Sequence, residues 1–265
     1  MGVWTFSPLP LALSAVALML YTRGFRRLRA RRSDLAPWHS AAAFAAGTAI
    51  ALLAVVSPLD ELGENRLLTA HMGQHLLLGD IAPLLLIVGL RGPLAFFVLP
   101  PSLLGPLARC RPFRRALSFV LRPWVSLGVW VLVMYGWHVP AAYDAAIAHP
   151  LLHDSEHALF FLVGCLVWFQ IIDPTGGHMS PGRRALFASG VLLAGMPLAE
   201  VLLVAGPIYP HYAAIVNRPF GWTASYDQMH AALLMTAEQI ATLLTAAGLL
   251  MWQGFEPAAA ESPTG

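Results

Sequence analysis

Apolar residues in this chain neither alternate nor stripe; they run in blocks, with the polar residues confined between them. The longer blocks reach the roughly 20 residues that a helix needs to cross a bilayer core. Seven can be drawn, at about residues 8–21, 38–56, 67–90, 124–137, 153–172, 185–205 and 229–252. The expected fold class is therefore all-α: a polytopic membrane protein with a seven-helix transmembrane bundle, one domain over residues 1–265. The first block has no basic residue before it, so it reads as an uncleaved span and not as a removable signal. A longer segment, residues 91–122, follows the third block, and its second half mixes Arg with apolar side chains at roughly helical spacing. That segment fits either a helix lying in the membrane interface or a basic loop.

Composition agrees with the pattern. The chain is 57% hydrophobic and 11% charged, against about 25% charged for a soluble domain. All 16 basic residues are Arg. Six follow the first block, six the third and two the fifth, whereas Arg66 and Arg218 alone fall in the other three connections. Positive charge collects on the cytoplasmic side, so the expected orientation is N-terminus outside and C-terminus cytoplasmic. Cys110 and Cys165 form no CxxC motif, which argues against a disulfide framework or thiolate cluster. No nucleophile arrangement, phosphate loop or nucleic-acid patch is visible.

The ten histidines change the picture. Two blocks begin with His-x-x-x-His: His71 and His75 in the third, His153 and His157 in the fifth. Residues four apart share a helix face, so each pair can present two imidazoles to one ion, and two such helices supply a full ligand set. His138, His149, His211 and His230 fall at the same expected outer face, leaving His39 and His178 inside. A lone interfacial His is usually an ordinary hydrogen-bonding residue, but two such pairs on one side point to a metal. Imidazole without thiolate suits copper or zinc, and Met72 or Met229 offers a soft ligand for Cu(I). Asp154, Glu156 and Glu200 are placed to accept the free N–H of a ligating His; Asp154 and Glu156 serve equally as ordinary acids of a helix first turn. "HDSEH" also satisfies the inverted zincin pattern H-x-x-E-H, with Glu156 as base, although His71 and His75 then go unused. Haem ligation would waste one His of each pair, and a hydroxylase would carry more boxes. Asp80 and Glu238 lie deeper in the third and seventh blocks, suited to an ion or proton path or simply satisfied by neighbouring helices.

Several stretches resemble one family. "HMGQHLLLGDIAPLLLIVG" is similar to the His-Met-x-Gln-His signature of the multi-span CtaG family of cytochrome c oxidase assembly factors. "WHVPAAYDAAIAHPLLHDSEHALFFLVGCLVW" resembles its Trp-His-x-Pro…Tyr-Asp…His…Glu-His segment, and "GPIYPHYA" with "DQMHAALLM" its Tyr-Pro loop and Asp-Gln start of the last span. The resemblance covers about residues 35–252. It implies a bacterial cytoplasmic (inner) membrane protein that binds or delivers copper, with zinc as the other candidate. Its partners would be haem-copper oxidase subunits or copper chaperones, besides the lipid bilayer. Family motif positions fall on His71, Met72, Gln74, His75, Trp137, His138, Pro140, Tyr143, Asp144, His153, Glu156, His157, Asp227 and Gln228. Asp80, Met229, His230 and Thr236 depart from the pattern, and His230 is a candidate ligand peculiar to this chain. The expected site is His71, His75, His153 and His157 with His138, supported by Met72, Gln74, Glu156, Asp154, His230 and Glu200. The competing classes are an intramembrane metal-dependent hydrolase or oxidase and a metal-ion transporter.

Overall fold

A computed structural model describes residues 4–255. Every regular element among them is helical. Six helices are long and apolar enough to cross a membrane: Pro8–Arg29, Ser33–Val56, Leu68–Gly89, Pro150–Ile172, Pro181–Val204 and Ala224–Gln253. In the order used above they are the first, second, third, fifth, sixth and seventh spans. The fourth span is Pro123–Trp137, joined to Arg111–Val120 at a 75° bend. The bend falls at Pro123, whose ring opens a new helix readily but cannot continue the old one. Residues 111–120 are exposed throughout. The segment 91–122 is therefore helical and not an unstructured loop: a short helix at Leu94–Val98 precedes Pro101–Arg109 and Arg111–Val120, which carry its basic second half.

The first span continues past Tyr21 to Arg29, so Arg23, Arg26, Arg27 and Arg29 ride on its last turns. It buries Tyr21, Phe25 and Leu28 against the second span, where Tyr21 stacks on Phe44 with ring centroids 4.0 Å apart. Its remaining length exposes Leu9, Leu13, Val16 and Met19, side chains suited to lipid.

The third and fifth spans form the centre of the bundle. They cross at Gly79 and Gly164, where a Cβ on Gly164 would collide with the Gly79 backbone carbonyl. Small residues at a crossing let two membrane helices approach backbone to backbone. This crossing sets the separation of everything the two helices carry. Both the third and the seventh spans contain a π-helical turn, Leu77–Ile81 and Ile240–Leu244 respectively.

Connections after the second, fourth and sixth spans, together with residues before the first, gather at one end of the bundle. There Thr5 donates to the Val56 carbonyl at 3.0 Å. Three short helices close this end: Pro58–Asn65, Pro140–Ala148 and Pro210–Ala214. The starts of the third and fifth spans lie beneath them.

Candidate metal centre

The third span starts within the protein, so its first backbone N–H groups need acceptors. Asp227, at the start of the seventh span, accepts from the N–H of Leu68 and of Thr69, each at 2.9 Å. This carboxylate anchors the turn that leads into His71. Gln228 beside it donates to the carbonyls of Leu202, Ala205 and Gly206 and accepts from the Ile208 N–H. The Asp-Gln pair thus ties the start of the third span to the end of the sixth and the connection that follows it. Gly63 of the closing helix lies against the backbone of His71, 2.9 Å from the Cα where a Cβ would stand. No larger residue fits there.

His71, His75, His153 and His157 are all buried, and one ring nitrogen of each lies within 4.8 Å of the others. Ring centroids are 4.3 Å apart within the first pair and 4.1 Å within the second. Across the helices, His71–His153 and His75–His157 each measure 5.3 Å. The i,i+4 spacing makes each pair and the glycine crossing joins them.

Two imidazoles are held from behind. Tyr212 donates its hydroxyl proton to the Gly63 carbonyl at 2.6 Å, so the same oxygen accepts from His71 Nδ1, also at 2.6 Å. Burial pushes the Tyr212 phenol well above its usual range, which keeps that proton in place. His153 Nδ1 faces the Glu64 carboxylate at 2.8 Å. Each outside partner assigns the ring proton to Nδ1 and leaves Nε2 facing inward. The two Nε2 atoms stand 3.4 Å apart. Four nitrogens at ~2.1 Å from a tetrahedral ion are roughly 3.4 Å from one another. His75 has no hydrogen-bond partner at either nitrogen, and His157 none at Nε2. Glu156 is 1% exposed with neither oxygen bonded, and it lies 4.0 Å from His75 Nε2. Unpaired polar groups in a buried site are costly. Their concentration around these four rings fits a place for a cation.

The other expected site residues are placed as follows. His138 caps the fourth span, its Nδ1 on the Met134 carbonyl at 2.7 Å and its Nε2 unpartnered, outside the group of four. Met72 is buried among Leu68, Tyr143 and Met235. Gln74 donates to the Ala54 carbonyl at 2.9 Å and to Asp60 at 2.5 Å, bracing the second span and the closing helix. Burial raises the Asp60 carboxyl, against the pull of that amide. Asp154 and Glu200 are exposed. His230 stacks on Trp222 with centroids 4.6 Å apart and turns Nδ1 to the Tyr226 carbonyl. Glu64 and Tyr212 were not singled out in the sequence. Glu64 sits in an acidic connector with no spacing to mark it, and Tyr212 is visible there only as one aromatic of a Pro-rich loop.

These features define a class, a multi-pass helical membrane protein with a buried cluster of four imidazoles at one end. Residues 19–256 match the family described as cytochrome c oxidase caa3 assembly factor, and the chain belongs to that CtaG family. It is 28% identical over 204 residues to an uncharacterized protein of Mycobacterium bovis and, equally, to one of Mycobacterium tuberculosis. The alignment covers 74% of this chain but 30% of either relative, so the chain spans under a third of their length. No solved structure matches it.

Proposed function

We propose that the protein binds a copper ion at His71, His75, His153 and His157 and passes it on during assembly of a haem-copper oxidase. The observation that carries this is the pair of facing Nε2 atoms of His71 and His153, each turned inward by a hydrogen bond behind the ring. With the proton of each ring on Nδ1, the two Nε2 lone pairs 3.4 Å apart repel, and a cation bound between them removes that repulsion. His75 and His157, free of competing bonds at Nε2, complete the donor set. Glu156 supplies negative charge beside the ion, and the Glu64 carboxylate orients His153 and raises its basicity. An all-nitrogen set accepts copper or zinc; membership of an oxidase assembly family favours copper, here as cargo. The Arg distribution supports a cluster at the outer face of a bacterial cytoplasmic membrane, with the C-terminus inside.

The test is metal analysis of purified protein loaded with copper or zinc. Wild type is expected to retain about one ion per chain, and to release protons on binding it. His71→Ala/His75→Ala and His153→Ala/His157→Ala are each expected to lose it. If both double variants bind as wild type does, the proposal is wrong. In cells, deletion is expected to leave oxidase subunits made but inactive.

A further inference from the structure

The fourth span and the helix before it, Arg111–Val120, meet at a 75° bend. A helix that stops leaves its last carbonyls without donors, and here two of them are satisfied from inside the bundle. Gln170 of the fifth span, fully buried, donates to the Leu121 carbonyl at 2.7 Å and to Ser126 Oγ at 2.9 Å. Ser126 Oγ in turn donates to the Val120 carbonyl at 2.9 Å. Pro123 has no N–H to carry the helical ladder through the corner. The bend is therefore held by buried side chains of two spans. A helix fixed at 75° to a spanning helix runs close to the plane of the membrane.

The residues of this helix are sorted by face. At 3.6 residues per turn, Arg111, Arg114, Arg115 and Ser118 fall on one arc, and Phe113, Ala116, Leu117 and Val120 on the opposite one. Neither arc is covered, since every residue from 111 to 120 is exposed. Among the described residues, the side chains of Arg111, Arg114 and Arg115 have no hydrogen-bond or ion-pair partner. Nor does the neighbouring chain supply a carboxylate: no acidic residue lies between Asp80 and Asp144, a stretch that holds six Arg. At the bend, the Arg122 guanidinium lies 5.5 Å from the Phe119 ring centroid.

An interfacial helix sets its apolar arc against acyl chains and its basic arc level with the headgroups. A soluble acidic partner would engage the arginines and leave the apolar arc in water, whereas a membrane surface serves both arcs at once. Charge then selects the headgroup. A guanidinium pairs with two phosphate oxygens in one plane, and three of them gather here with no carboxylate to compete.

We infer that helix Arg111–Val120 binds anionic phospholipid of the membrane that holds the protein. Phe113, Leu117 and Val120 lie among the acyl chains, and Arg111, Arg114 and Arg115 meet the phosphates. This surface is at the end of the bundle opposite the histidines and stands whether or not a metal binds there.

The first test counts lipids. Protein in nanodiscs of equal phosphatidylglycerol and phosphatidylcholine is released and its retained lipids are identified by native mass spectrometry. Wild type is expected to keep phosphatidylglycerol preferentially. Arg111→Gln/Arg114→Gln/Arg115→Gln should lower that preference at least about tenfold, since each basic residue at an anionic surface contributes about fivefold. The second test reads depth. With the two free cysteines, Cys110 and Cys165, replaced by Ser, a fluorophore is placed at Ala116→Cys or Ser118→Cys in phosphatidylglycerol vesicles. The label at 116 is expected to be quenched by a lipid-borne quencher, and the label at 118 by aqueous iodide. These two variants keep all three arginines, so they judge the helix even if the arginine variant fails to fold. An unchanged lipid preference in a folded arginine variant overturns the headgroup contact. Equal iodide quenching at both positions leaves the helix in water, free for a soluble acidic partner, and overturns the membrane contact.

Discussion

At the histidine end, polar side chains turn inward. His71, Gln74, Glu156 and Asp227 are almost completely buried, and short helices close over them. At the arginine end, side chains turn outward: residues 111–120 are all exposed, with Arg111, Arg114 and Arg115 beside Phe113, Leu117 and Phe119. Both ends interleave ionisable and apolar residues, yet one makes an enclosed cluster and the other an amphipathic surface. The difference follows from what each group needs. A guanidinium stays charged and keeps its head in water while its stem covers apolar surface. A neutral imidazole tolerates burial, and buried without a partner it presents a lone pair. Burial of polar groups therefore marks the site in this protein, and abundance of charge does not.

The sharpest way to break the contrast is at the helix crossing. Gly164→Leu is expected to force the third and fifth spans apart, costing about 3 kcal/mol and abolishing metal retention with all four histidines intact. Thermal unfolding in detergent and metal analysis together check this. Asp227→Ala should come next. It leaves the first N–H groups of the third span without their acceptor, at about 2 kcal/mol, and is read by the same unfolding assay with weakened metal retention.

Glu64→Gln separates orientation from stability. Its side chain is 32% exposed, so the fold should be nearly unaffected, while metal affinity falls about tenfold through the loss of the carboxylate behind His153. Competitive titration against a chelator measures that change; equal affinity would show that Glu64 does not orient His153. The smallest effect is expected from Arg114→Ser/Arg115→Ser at the opposite end. Metal affinity should be unchanged and stability within about 0.5 kcal/mol, with binding to anionic vesicles reduced at low salt.

Several of these features were legible in the linear chain. Each His-x-x-x-His pair declares its shared face, because helical spacing is local. The placement of both pairs at one end follows from counting apolar blocks. Other features were hidden in the chain for physical reasons. The basic segment gave no choice between helix and loop, since its helices bury nothing and leave no strong periodic core. His138 looked equivalent to the four cluster residues, but its position at the helix end sends Nδ1 to its own chain and its ring to a neighbouring cavity. Asp80 lies half a turn from His71 on an ideal helix, and the π-helical turn that carries it has no signature in the pattern. Glu64 and Tyr212 reach the cluster from connectors, where nothing in their spacing refers to the helices they serve.

Length and polarity along one dimension determined that this chain is a helical membrane protein, how many blocks are available to cross, and that two histidine pairs lie at the same end. A bilayer asks for those properties segment by segment, so a segment displays them by itself. Which helices touch, which nitrogen of each ring faces inward, and which buried groups go without partners were decided by tertiary structure. Those are relations between segments far apart in the chain, set here by backbones meeting at Gly79 and Gly164 and by hydrogen bonds from closing helices.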